Sequence, residues 1–170
     1  TNAVSNGFPL NQVAIFYRTN AQSRLFEDML IAKGTNYVIY GGLKFYQRLE
    51  VKDALAYLKL INNPNDNASF RRIINVPTRG IGATSMERFT NQATDLGVTH
   101  YQLLTDIFGP EPKVQCDLGR GQKNFRKFYD MMEVFRAAKQ SLLPSDLVNL
   151  VLEDSNYRKS LMYEGTVEAQ

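Results

Sequence analysis

The 170-residue sequence contains one cysteine, Cys116, and one histidine, His100. An internal disulfide is therefore excluded, and no His/Cys metal site can be assembled from these residues. Long apolar runs are also missing, since none approaches the roughly 20 residues that cross a bilayer. The opening residues, TNAVSNGFPLNQ, lack the basic and apolar regions of a signal peptide. A cytoplasmic location with no membrane partner is the expectation. The motifs of self-contained active sites are absent as well: there is no GxxxxGK[ST] phosphate loop, no GxGxxG after a strand, no GxSxG elbow and no HExxH. The carboxylates are scattered along amphipathic stretches, where acidic residues are ordinarily a wet face.

What is present is enough apolar residue, 44% of the chain, to bury a core of one domain or a little more. The net charge of +3 is modest, but it is unevenly spread. Lys113, Arg120, Lys123, Arg126, Lys127, Arg136 and Lys139 face only Asp117, Asp130 and Glu133 in the same stretch. Arg71, Arg72, Arg79 and Arg88 form a second basic cluster, offset by Glu87 alone. Such clusters are compatible with solvated helix faces and equally permit a polyanionic partner.

The run QVAIFYRT is short, apolar and rich in branched and aromatic residues, which predicts a buried strand. NAQSRLFEDMLIAKG then predicts a helix with Asn20 as cap, Leu25, Phe26, Met29 and Leu30 on its apolar face and Gly34 as its stop. NYVIYGG reads as a second strand closed by a Gly-Gly turn, giving a βαβ-like unit with two parallel strands. From Leu43 onward the pattern is helical. EVKDALAYLKLINNP, DNASFRRIINVP, TSMERFTNQATDLG and THYQLLTDIF each carry apolar residues at helical spacing, and GPEPK interrupts the series as a candidate subdomain boundary. A long helix is expected over residues 122 to 143, with Phe125, Phe128, Met132, Phe135, Ala138 and Leu142 as a core stripe. PSDLVNLVLEDSNYRKSLMYEG predicts a final helix pair. The chain stops at TVEAQ without a cap or breaker, as expected of a piece of something longer. The expected fold class is α/β to mostly α, a small parallel β portion followed by an all-helical subdomain.

Four stretches could carry chemistry. In FYRTNAQSR, Tyr17 offers a flat ring and Arg18 a positive fork at the end of the first expected strand, where α/β proteins bind nucleotides. Taken alone, the pair also suits a tyrosine at a strand edge beside a surface arginine. YGGLKFYQRLEVKDALAYL is the second stretch. In the third, RRIINVPTRGIGATS, a GIG turn precedes a helix whose first amides could accept a phosphate, with Arg79 adding charge. An ordinary glycine turn with an N-cap fits the same residues. LGRGQKNFRKF, the fourth, is a Gly-x-Gly turn leading into a basic helix start, suited to backbone phosphates without base readout.

In that order and at those separations, YRTNAQSR, YGGLKFY, VKDALAYLKLI and INVPTRGIG closely resemble the UvrD/PcrA/Rep family of superfamily 1 DNA helicases, nearest in wording to its PcrA branch. The resemblance runs from about Val13 to the last residue. It implies a linker from a preceding motor domain over residues 1–12. Residues 13–108 would then be the N-terminal part of the second, here incomplete, RecA-like motor domain (2A), and residues 109–170 the N-terminal part of the helical 2B subdomain. It further implies that Tyr17 packs on the adenine of ATP and that Arg18 is the arginine finger reaching the γ-phosphate. The DNA-contacting residues would be Arg79, Gly80, Ile81, Gly82 and Thr84 in one turn, and Gly119, Arg120, Gly121 and Lys123 in the other.

The implied cofactor is ATP with Mg²⁺, whose ligands have no counterpart in these residues. The implied partners are single-stranded and duplex or fork DNA, with protein partners through the helical subdomain. A piece of an ATP-dependent 3′ to 5′ helicase, inactive by itself, is thus the leading reading. A stand-alone duplex-binding module and a partner-docking helical domain are the competing ones.

Overall fold

The computed structural model describes residues 7–19, 22–40 and 45–164. Eight α-helices and three short 3-10 turns make up the regular structure of those residues, and no strand occurs among them. Two compact units divide the chain, Thr1–Arg48 and Leu49–Gln170.

The expected parallel β portion is therefore corrected to an all-helical fold. Residues 13–17 and 35–39 carry no strand pairing, and Val13, Ile15 and Phe16 are exposed, the last at 93%. Two short apolar runs cannot sustain a sheet in water, because a third strand or a packed helix face is needed before pairing outweighs the entropy of ordering it. Asn20 and the Gly41-Gly42 turn lie outside the described residues.

In the first unit, α1 (Ser23–Ala32) closes at Gly34, where the Thr35 amide returns to the Leu30 carbonyl. Its buried side chains are Ser23 and Glu27, while Leu25 and Met29, expected inward, are exposed. The Glu27 carboxylate accepts from the Tyr37 hydroxyl at 3.1 Å and from the Phe45 amide at 3.2 Å. Arg24 lies over the Phe45 ring at 4.8 Å. This small unit is held by polar bonds to one carboxylate more than by an apolar core.

The second unit comprises α2 (Leu49–Asn62), α3 (Asn67–Ile73), α4 (Ala83–Asp95), α5 (His100–Phe108), α6 (Gln122–Ala138), α7 (Pro144–Asp154) and α8 (Tyr157–Glu164). Local chemistry sets several starts. The Asp66 carboxylate accepts from the Ser69 amide at 3.0 Å, the Thr99 hydroxyl accepts from the Gln102 amide at 3.3 Å, and Pro144 occupies the first turn of α7. The α6 stripe is inward as its spacing requires, with Phe125, Phe128, Met132 and Phe135 fully buried. The helix ends at Ala138, so Leu142 and Leu143 fall beyond it and are exposed.

Aromatic rings join the layers. Phe70 of α3 stacks on Phe89 of α4 at 5.7 Å and on His100 of α5 at 5.1 Å, and meets Phe128 of α6 edge-on at 5.7 Å. Phe89 stacks on Phe125 at 4.7 Å. A buried carboxylate completes the unit: Asp53 of α2 takes Arg72 at 2.7 Å on one oxygen and the Tyr157 hydroxyl at 2.7 Å on the other. The segment GPEPK, expected as a boundary, lies inside this second unit.

Candidate nucleic-acid interface

Two sets of expected site residues fall in different units. In the first unit, the Gln22 side-chain oxygen accepts from the amides of Arg18 and Thr19, at 2.9 and 3.4 Å, and closes the bend ahead of α1. Tyr17 is half-buried, its ring near-parallel to Phe26 at 6.4 Å. Arg18 is exposed. Tyrosine and arginine thus stand side by side on a bend that a glutamine fixes. Gln22 escapes sequence reasoning, because the side chains that ordinarily bond back to nearby amides are the shorter ones of Ser, Thr, Asn and Asp.

The second unit brings the two glycine turns together. The Asn124 amide, in the first turn of α6, donates to the Gly80 carbonyl at 3.3 Å. Gly80 has φ +72°, a left-handed backbone that L-residues adopt at a cost. At Gly121 a Cβ would stand 2.8 Å from both Cβ and Oγ of Ser85, so only glycine lets the start of α6 approach the first turn of α4 this closely. Gly82 is the N-cap of α4 and Gly121 that of α6, and neither helix start has a side-chain cap. Two helix starts with their positive dipole ends therefore lie next to each other.

The side chains around them divide by direction. Gly80, Gly82, Thr84, Gly119, Arg120 and Lys123 are exposed. Ile81 is buried, and its amide points to the Asn75 side-chain oxygen at 3.4 Å. Arg79 is half-buried and turned inward, its guanidinium set against the carbonyls that end α3 and over the Phe128 ring at 5.3 Å. Arg88, a member of the second basic cluster, lies 3.6 Å from Asp117, whose carboxylate also accepts from the Gly119 amide at 2.8 Å. Asp117 supplies a negative charge at one end of the patch. Arg120 and Lys123 supply the positive charge of the α6 turn.

Among the described residues no group of three or more His, Cys, Asp or Glu side chains is gathered to hold an ion. No helix of the described residues is long and apolar enough to cross a membrane. The arrangement suits an extended polyanion, with amides and cations on adjacent turns and few groups placed to read base edges.

The family model for the UvrD-like helicase C-terminal domain matches residues 1–117. The ATP-dependent DNA helicase PcrA of Bacillus subtilis (strain 168) is 42% identical over 163 residues, which is 95% of this chain and 21% of that protein. The protein of the same name from Staphylococcus aureus (strain Mu50 / ATCC 700699) is 37% identical over 97% of this chain and 22% of its own length. That from Leuconostoc citreum is 38% identical over 92% and 20%. This chain spans about a fifth of the length of these relatives, and it belongs to the UvrD-like helicase family.

Proposed function

We propose that this chain is part of an ATP-dependent DNA helicase that moves 3′ to 5′, in which it presents a surface for duplex or fork DNA and one edge of the ATP site. The observation that carries the DNA reading is the juxtaposition of two glycine turns at uncapped helix starts, tied by Asn124 and Gly80 and by the close approach of Gly121 to Ser85. Phosphates of one backbone would lie against Gly80, Gly82 and Thr84 on one side and against Arg120 and Lys123 on the other, while Gly121, buried against Ser85, and Gly119, whose amide is held by Asp117, shape the second turn. Ile81 and Arg79 contribute through the loop they anchor. The relatives' name, ATP-dependent DNA helicase PcrA, supports the enzyme class.

For ATP with Mg²⁺, the fitting residues are Tyr17 and Arg18. Tyr17 would pack on the base, and Arg18, exposed and without a side-chain partner among the described residues, would place its charge toward the terminal phosphate. Bound ATP supplies the phosphoryl group whose transfer drives movement, and the ligands of Mg²⁺ come from outside these residues. An arginine at that place stabilises charge that builds on the phosphoryl oxygens.

The test uses the full-length protein that contains this chain, with duplexes carrying a 3′ or a 5′ single-stranded tail. ATP-dependent unwinding of the 3′-tailed duplex alone is the expected result. Absence of unwinding, or unwinding from the 5′ tail alone, overturns the proposal.

A further inference from the structure

Arg79 stands beside the glycine turn, yet its cation is spent inside the protein. One terminal nitrogen of its guanidinium points to four carbonyl oxygens, those of Ile73 at 2.8 Å, Val76 at 2.9 Å, and Ile74 and Pro77 at 3.3 Å each. The other donates to the Tyr57 hydroxyl, which itself donates to the Val76 carbonyl. The guanidinium plane also covers the Tyr57 and Phe128 rings, at 5.8 and 5.3 Å. Asn75 closes the cage from the other side, its side-chain oxygen accepting from the Arg79 amide at 2.7 Å and the Ile81 amide at 3.4 Å. The carbonyls at the end of α3, of which that of Ile73 also accepts from the Val76 amide at 3.1 Å, thereby receive a positive charge at the negative end of the helix.

We propose that Arg79, with Asn75 and Tyr57, is a positioning residue of the DNA surface: it acts through the loop of residues 76–82 and contacts no phosphate itself. The inference rests on the reading of the two glycine turns as a phosphate-contacting surface. A planar fork with several donors and an aromatic face can hold several carbonyls at once, and an ammonium cannot reproduce it. Charge alone is therefore insufficient at position 79. Loss of the cage lets Gly80 and Gly82 leave the orientation that sets them beside α6, and a surface held loosely binds less well even though every phosphate-facing group remains.

The experiment measures binding of the full-length protein to a fixed-sequence duplex at several salt concentrations, for wild type, Arg79→Lys, Arg79→Ala, Asn75→Ala, Tyr57→Phe and the double variant Arg120→Ala/Lys123→Ala. The slope of affinity against salt counts the phosphates neutralised, roughly 0.9 per contact on duplex. Arg79→Lys, Arg79→Ala and Asn75→Ala are each expected to weaken binding about fivefold to tenfold with an unchanged slope. Should an Arg79 variant fail to melt cooperatively, Asn75→Ala and Tyr57→Phe, which keep the arginine and for which the same weakening at an unchanged slope is expected, decide the question by the same readout. Wild-type affinity in Arg79→Lys, or a slope reduced by about one in Arg79→Ala, makes Arg79 a direct phosphate contact and overturns the proposal. A lowered melting temperature with wild-type affinity in the folded variants reduces the cage to a structural role and also overturns it. Failure of the DNA-surface reading looks different: the wild-type protein then shows no duplex affinity, or the Arg120/Lys123 double variant keeps the wild-type slope.

Discussion

Asn124 and Gly80 are joined by a hydrogen bond of 3.3 Å from a side-chain amide to a backbone carbonyl, across 44 positions of sequence. The bond makes the first turn of α6 a brace for the loop that precedes α4. The two helix starts are thereby held side by side, and anything that separates them should be felt at both.

The closest approach in that brace is the sharpest place to test it. Gly121→Ala would put a methyl group 2.8 Å from the Cβ and Oγ of Ser85; the hydroxyl can rotate away, but the Cβ–Cβ contact is fixed by the two backbones and only their shift relieves it. A loss of about 1 to 3 kcal/mol in denaturant unfolding is expected, of the order seen for overpacked sites. Ser85→Gly in the same chain should recover part of it. Additive losses in the double variant would show that the two positions are not in contact.

Arg120 and Lys123 are exposed on the second turn. Their joint replacement by alanine should lower the salt slope of duplex binding by up to about two, with the melting temperature unchanged. Binding should also be nearly independent of sequence, as is usual when phosphates rather than base edges are engaged. An unaltered slope would return both residues to an ordinary solvated face.

Arg18→Ala in the full-length protein should reduce ATP turnover on the order of 10³ or more while leaving DNA affinity near wild type. Steady-state ATPase assays with saturating DNA give the first quantity and equilibrium binding the second. Near-normal turnover would remove Arg18 from the ATP site. The 170-residue chain alone should show no turnover above a buffer blank.

His100 makes stability depend on pH. Its Nδ1 faces the Asn67 side-chain oxygen at 2.7 Å and so carries the proton, while Nε2 is buried with no partner among the described residues. Burial, followed by the nearby Arg71, holds its pKa below the ordinary 6.5. The unfolded chain then binds the proton more readily than the folded one. Stability is complete above about pH 6.5 and declines as pH falls below it toward the folded value. His100→Phe, which retains a ring between Phe70 and Phe89, should flatten thermal stability between pH 7.5 and pH 5. An unchanged decline would place the acid sensitivity elsewhere.

Much of the second unit was legible because short-range rules govern it. Apolar residues at three- and four-residue steps gave α2 through α6, and Pro144 marked the start of α7. The Ser or Asp cap expected after it and the Thr84 or Ser85 cap expected for α4 do not form: α4 begins at Ala83 behind Gly82 and α7 at Pro144 behind Leu143, neither with a side-chain cap. Length was less legible: the stripe of α6 suggested continuation to Leu142, but the helix stops at Ala138, where no further buried partner rewards another turn. The opening forty residues misled for a physical reason. An apolar run of four or five residues is compatible with a strand only if something pairs with it, and pairing is not a local property. α1 misled in the opposite sense, burying Glu27 through two hydrogen bonds where its apolar face was expected to be inside.

For the site, glycine spacing located both turns, but nothing local announced that they would meet. Nor did TRGIG reveal which way its arginine points. The inward direction of Arg79 depends on carbonyls of residues 73 to 77 that converge only once the loop has formed. Asn75 and Asn124 carry no motif of their own, and their roles exist only in the folded state.

The ring assembly of the second unit has a consequence for how this protein opens. Phe70, Phe89, His100, Phe125 and Phe128 come from four helices, α3 through α6, and each ring rests on another at 4.7 to 5.9 Å. No one of these helices can leave without stripping a neighbour of its contact, so they form a single cooperative element. In deuterium exchange the amides of all four would then share one slow opening, whatever their individual helix propensities. α1, whose apolar side chains already meet water, would exchange ahead of them. The two glycine turns at the starts of α4 and α6, proposed above to face DNA, thus sit on a part of the molecule expected to open slowly.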